Sequence, residues 1–291
     1  MCQTPALLVP IELSQLNEIR PDMASHRTVF ILSASSDIGR HLMDRYLAEG
    51  CTVIGTYRRA HALDTYLTHP RAHVLRLDLD EPQCVDEALT FMRKKNLTWD
   101  LFIASNGTME PIGPFMELDG AAWQQSIASN ALMPSRLLRA LYPLRKPDQV
   151  SSAAFFAGGG TNNPFRNYSA YCLSKIFLIK LCELLDDEVP DLKTFILGPG
   201  YVRTKIHDET LAAAERAGEN QAKTQKFMAT DGTSLDDIYE CLEWCATQSR
   251  SVVGGRNFSV VHDPWRNGGA ALAAALTSDS NRYKLRRAGN T

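Results

Sequence analysis

Residues 28–57 read TVFILSASSDIGRHLMDRYLAEGCTVIGTY. A run of apolar and β-branched residues (Thr28 to Leu32) gives way to a turn of small residues. An amphipathic segment follows, and then a second β-branched run from Cys51 to Tyr57. Strand, tight turn, helix and strand in that order make one βαβ unit, whose two strands must lie parallel.

The rhythm continues outward from this unit. A short helix around Leu63 to Leu67 precedes HVLRLDL, DEALTFMRKK and DLFIAS, which predict strand, helix and strand. The second half predicts a helix from Trp123 to Leu141, a strand across VSSAAFFA, a long helix from Tyr168 to Glu188 and the strand LKTFIL. Residues 205–230 are Ala-rich and charged, a mobile helical excursion by composition. A helix at LDDIYECLEWCATQ, a last strand near RNFSVV and a terminal helix or arm after Trp265 complete the chain. Seven strand signals alternating with helices predict a single α/β, doubly wound domain: a seven-stranded parallel sheet with helices on both faces. The expected divisions are an N-terminal arm at 1–27, the domain at 28–265 with a substrate lid at about 204–230, and a C-terminal tail at 266–291.

Composition narrows the function. The chain has 291 residues, with 31 Lys+Arg against 33 Asp+Glu and a formal net charge of −2, which argues against nucleic acid as a partner. Its seven cysteines are scattered without a CxxC pair, so neither a disulfide framework nor a metal site is expected. No apolar run is long enough to span a bilayer, and the opening residues lack a charged segment and a cleavage pattern. A cytoplasmic protein working on a small molecule is expected.

Two places carry chemistry. In the turn Ser33 to Gly39, unpaired backbone N–H groups at a helix N-terminus can receive a phosphate, and small side chains let it approach. A turn of this kind also occurs in α/β proteins that bind nothing. Tyr171 and Lys175 stand four apart in YCLSK, on one helix face, where a cation near a phenol favours phenolate and makes it a usable acid or base. The alternative is a surface pair. Tyr168 is a competing tyrosine, but Cys172 rather than a lysine follows it four residues on.

Taken together, these motifs resemble the short-chain dehydrogenase/reductase family, from Thr28 to about Asp263. Its TGxxxGxG falls on Leu32 to Gly39, its NAG on Ser105, Asn106 and Gly107, its helix-four asparagine on Asn130, and its YxxxK on Tyr171 and Lys175. Its PGxxxT falls on Pro199, Gly200 and Thr204, and its closing strand on VVGGRNFSVVHD. The resemblance implies a Rossmann-type fold and a cofactor site that includes Ser33, Ser35, Ser36, Asp37, Ile38 and Gly39. To that site it adds Ser105, Asn106, Gly107, Tyr171, Lys175, Pro199, Gly200, Val202 and Thr204. It implies that Tyr171 exchanges a proton with the substrate oxygen, that Lys175 binds the nicotinamide ribose, and that Asn130 holds a water of the proton relay. At the end of strand two, Tyr57, Arg58 and Arg59 stand where an acid would select NAD, so NADP(H) is favoured over NAD(H). Asp78 and Leu79 match the position that contacts adenine; Asp78 serves equally well as a loop-start residue capping the next turn.

Three departures stand out. Ser33 and Asp37 replace two glycines of the phosphate turn, which survives if Ser33 keeps a glycine-like backbone and Asp37 caps the first helix. Asn106 replaces a small alanine. Counting back thirteen residues from Tyr171, the family's catalytic serine falls on Gly158, and Ala157 and Gly159 carry no hydroxyl either. Ser151 and Ser152 read as ordinary strand residues. Losing that hydrogen bond costs roughly 1.5–4 kcal/mol of catalysis, and a serine restored at 158 is the test of whether it limits the rate. Thr161 or Asn163 could supply a donor instead, with Thr161 merely ending its turn as the alternative. GGGTNNPFxNYSAY looks like members acting in surface-polysaccharide and sugar-nucleotide metabolism, and three glycines would leave room for a bulky, sugar-like substrate.

The expected activity is therefore NADP(H)-dependent hydride transfer to or from a carbonyl or alcohol of a small or sugar-like substrate. A non-catalytic NAD(P)-binding regulator, and a nucleotide-sugar epimerase or dehydratase using its cofactor transiently, are the rivals. The helix bearing Tyr171 is apolar on more than one face, as in a homodimer or homotetramer.

Overall fold

The structure, a computed structural model, describes residues 27–287 apart from 60 and 82. The expected N-terminal arm thus lies outside the described residues except for Arg27, as do Cys2 and residues 288–291. Seven strands form one sheet: β1 (Thr28–Leu32), β2 (Thr52–Tyr57), β3 (Ala72–Arg76), β4 (Leu101–Ala104), β5 (Ser151–Phe156), β6 (Leu192–Gly198) and β7 (Arg256–Ser259). Their order is β3-β2-β1-β4-β5-β6-β7 and every neighbouring pair is parallel. The connections run outward in opposite directions from β1 and β4. The crevice between the carboxyl ends of those two strands is where such sheets bind ligands.

Alternate strand residues feed two cores. Val29, Ile31, Leu101, Ile103, Phe195 and Leu197 meet α1 (Asp37–Ala48) through Leu42, Met43 and Tyr46. On the other face Phe30, Leu32, Phe102, Ala153, Phe155 and Ile196 meet α2 (Cys84–Lys94) through Ala88 and Met92. These strands are apolar at successive positions because both faces are covered, so they show no polar alternation.

The helix expected from Trp123 to Leu141 is three pieces. α3 (Gly120–Ile127) passes through a π-turn at Ala128–Leu132 into α4 (Met133–Leu141). In that turn the Met133 N–H bonds to the Ala128 carbonyl five residues back. Pro134 has no N–H to return to the Asn130 carbonyl, which interrupts the ordinary ladder at Asn130. Around Leu63 to Leu67 there is only one 3₁₀ turn, Asp64–Tyr66. The long helix is α5 (Ser169–Glu188).

The segment at 205–230 forms α6 (Ile206–Ala212), a 3₁₀ turn and α7 (Glu219–Met228). α8 (Leu235–Thr247) follows, packing Ile238, Tyr239 and Leu242 on the same face as α1. The last segment folds back as α9 (Gly269–Ser278), with Leu272 and Leu276 in the core shared with α1 and α8. The Arg256 guanidinium on β7 donates to the carbonyls of Leu276 and Asp279, at 2.6 and 2.9 Å.

Candidate active site

A cleft of about 2100 Å³ opens along the carboxyl ends of the strands. Its floor is the turn from β1 into α1. Ser33 there has φ of 60°, the left-handed conformation a glycine would take without cost. Its N–H is held by Thr56 Oγ1 at 2.8 Å, and its carbonyl accepts from Ser36 N at 2.9 Å. Ser36 is the helix cap, with its hydroxyl accepting from Gly39 N at 3.1 Å. Gly39 permits only a hydrogen, because a Cβ would lie 2.7 Å from Ser105 Oγ and closer still to the Ser33 carbonyl.

Asp37 does not cap α1 as expected. With Ser36 already in that role, its carboxylate instead accepts from Lys205 N at 2.8 Å, reaching across the cleft to the segment that leads into α6. Of the other residues expected around a cofactor, Ser33, Ser35, Ser36, Ile38, Arg58, Arg59, Asp78 and Leu79 line the cleft. So do Ser105, Asn106, Gly107, Pro199, Gly200, Val202 and Thr204. Tyr57 packs against the core rather than lining the cleft, whereas Arg58 and Arg59 are exposed at its rim. Asp78 lines the cleft and also accepts from Asp80 N at 3.2 Å, so both readings of it are present. Asn106 donates to the Ser129 carbonyl at 2.8 Å and ties its loop to the π-turn.

Farther along, Asn130 and Lys175 approach Gly107, and Tyr171 stands next to Lys175. A Cβ placed on Gly107 would be 3.9 Å from both Asn130 Oδ1 and Lys175 Nζ. Lys175 Nζ in turn lies 5.5 Å from the centre of the Tyr171 ring. The Asn130 amide is fully used: its oxygen accepts from Thr108 N at 2.9 Å and its nitrogen donates to the Thr108 carbonyl at 2.8 Å. Burial governs the other two. It lowers the Lys175 ammonium to about 8, and it raises the Tyr171 phenol well above its ordinary value, with Cys172 and Glu209 adding to the rise. Burial is thus the dominant influence on the phenol. Tyr168 is removed from contention: it is buried, stacks on Phe165 and donates to Thr210 Oγ1 at 2.9 Å.

With this geometry in place, comparison with known proteins is informative. The family model described as short chain dehydrogenase matches residues 27–215. The chain belongs to the short-chain dehydrogenase family. It is 23% identical to short chain dehydrogenase pigC of Monascus ruber, covering 85% of this chain and 82% of that one. It is 24% identical to the (S)-benzoin-forming benzil reductase IRC24 of Saccharomyces cerevisiae, covering 72% and 84%. A short chain dehydrogenase from Shigella flexneri solved with NADP has the same fold, at 22% identity and a TM-score of 0.67, with 80% and 96% covered.

In this member of the short-chain dehydrogenase family a Cβ on Gly158 would lie 2.6 Å from Tyr171 Cζ and nearer still to its hydroxyl. The Phe165 ring lies beside Gly159, and Cys172 and Phe165 beside Gly160. The space a side chain would fill at these positions is thus taken by other side chains of this chain, while Gly158 and Gly159 still line the cleft. The Thr161 hydroxyl lines the cleft but donates to the Gly158 carbonyl at 3.0 Å; Asn163 lies outside the lining.

Sequence reading overlooked Glu209 in α6. Its carboxylate accepts from Thr108 Oγ1 at 3.1 Å and from the backbone N–H groups of Met109 and Glu110. Burial raises its pKa. In sequence it is one more acid in an Ala-rich, charged stretch, and only its partners make it distinctive.

Proposed function

We propose that this protein is an NADP(H)-dependent oxidoreductase acting on a carbonyl or alcohol of a small substrate. The observation that carries the proposal is that Tyr171, Lys175 and Asn130 line one cleft, with Lys175 between the Tyr171 ring and Gly107 and Asn130 also near Gly107, in the same cleft as the small-residue turn at the start of α1. The residues present fit a dinucleotide. The small residues Ser33, Ser35 and Ser36 line the cleft at the start of α1, and two exposed guanidinium groups, Arg58 and Arg59, stand where a 2′-phosphate rather than a bare ribose would be favoured. When bound, the cofactor supplies or takes up the hydride.

This chain's residues handle the proton. Tyr171, neutral at physiological pH because it is buried, gives its phenolic proton to the oxygen of a carbonyl that is being reduced. Lys175, largely ammonium below about 8, stabilises the phenolate left behind and donates to the cofactor ribose. Asn130 fixes the loop at Thr108 that forms the facing wall. With no hydroxyl at 158, the substrate oxygen relies on Tyr171 and on any donor that Thr161 can turn toward it, so turnover is slow for the family.

The flanks of the substrate are apolar in this reading, because Met109, Ile112, Phe165 and Ile206 form one apolar cluster with Tyr171. That favours an apolar carbonyl over the sugar-like substrate that the open glycine run suggested. A cytoplasmic location is part of the proposal; among the described residues no helix is long and apolar enough to cross a membrane. Titrating the protein with NADPH and with NADH, followed by fluorescence, tests the cofactor. NADPH should bind at least about tenfold tighter, and Arg58→Glu should erase the difference. Binding of neither nucleotide would end this reading and those of a binding-only regulator and an epimerase with it.

A further inference from the structure

Glu209 belongs to the lid, yet its bonds are made to the opposite wall. On one side of Thr108 stands Asn130, bonded to its N–H and its carbonyl; on the other stands Glu209, which accepts from its hydroxyl. The same carboxylate takes the N–H groups of the next two residues, Met109 and Glu110. Thr210, the next residue of α6, bonds to Met109 Sδ at 3.4 Å and receives the Tyr168 hydroxyl at 2.9 Å. The loop after β4 is therefore gripped from the π-turn by an amide and from the lid by a carboxylate, and Tyr171 lies in the same apolar cluster as Met109.

We propose that Glu209 is a positioning residue of the active site: its carboxylate latches α6 onto Thr108–Glu110, the loop that Asn130 holds, and so closes the substrate against Tyr171. Three donors meet one carboxylate here: the Thr108 hydroxyl, the Met109 N–H, and the Glu110 N–H, which it shares with Thr108 Oγ1 at 3.2 Å. An ionised carboxylate has lone pairs for all three. Both backbone N–H groups and the shorter Thr108 contact meet Oε2, and Oε1 adds only a Thr108 contact at 3.2 Å. The latch therefore rests on Oε2: an amide that places its oxygen there keeps these bonds and donates to the Thr108 hydroxyl, whereas truncation to alanine removes them all. The latch joins two segments about a hundred residues apart in sequence, so that the lid and the Asn130 wall move as one body.

The test is Glu209→Ala, read first by amide hydrogen exchange in the full chain without substrate, with the conservative Glu209→Gln expected to keep most of the protection. With Glu209→Ala, exchange at Met109, Glu110 and residues 206–212 should quicken by about tenfold or more while the sheet is unchanged. Unchanged protection at Met109 and Glu110 would overturn the latch. The second reading rests on the oxidoreductase proposal: in the variant KM should rise about tenfold with kcat within about threefold and NADPH affinity unaltered. A fall in kcat with KM unchanged would also overturn it, as would sheet-wide loss of protection, which marks a merely structural role. Thr108→Val removes one donor and leaves two, and should give a smaller change in the same direction; no change there in either reading would contradict the arrangement. Accelerated exchange in a protein that oxidises no NADPH would leave the latch standing and remove the oxidoreductase reading alone.

Discussion

A phenol as buried as Tyr171, at 7% exposure, is held in its protonated form, and in the proposed reaction it therefore acts as a donor toward the carbonyl. Tyr171→Phe should lower turnover by about a hundredfold or more while NADPH affinity stays within about twofold. Gly158 admits a sharper statement. Because a Cβ there would meet the Tyr171 ring, Gly158→Ser should displace the phenol and lower kcat, by about tenfold or more, instead of restoring a lost hydrogen bond. A rise in rate would mean that Tyr171 has room to yield. Lys175 adds a pH signature, since its folded pKa is lowered from 10.5 to about 8. Between those two values the unfolded chain binds more protons than the folded one, so stability climbs with pH across that window. Lys175→Met should raise stability at neutral pH by an amount on the order of 1–3 kcal/mol, measured by urea unfolding, and abolish that climb.

The seven strands were legible because each is a short apolar or β-branched run between small or polar residues, and the turn at Ser33 to Gly39 lies at the carboxyl end of β1, on the cleft. Contacts between distant segments were not legible. Asp37 departs from the family's glycine, and local reasoning offered it a helix cap; the real partner, Lys205, is 168 residues away. Asp37→Gly should therefore free the entry to the lid, quickening amide exchange across residues 204–212 while binding NADPH more tightly, because a carboxylate leaves the phosphate turn. Slower exchange, or weaker binding, would contradict that role. The π-turn is half-legible: Pro134 signals a break, yet the helical period on either side carried the reading through as one helix.

For the whole molecule, the two packed cores carry the fold, and among the described residues no disulfide joins the cysteines. α5 presents Leu173, Phe177 and Leu184 to the exterior, where 51%, 39% and 47% of each is exposed. A second copy covering that face would make a dimer, and Phe177→Glu should then shift light-scattering mass from dimer to monomer. The central claim concerns chemistry, and NADPH consumption tests it most directly. With an apolar aryl or alkyl ketone present, the wild-type chain should oxidise NADPH in step with alcohol formed, and Tyr171→Phe should bind NADPH but oxidise none. Equal rates in the two proteins, or no NADPH oxidation by the wild-type chain with any carbonyl, would contradict the account.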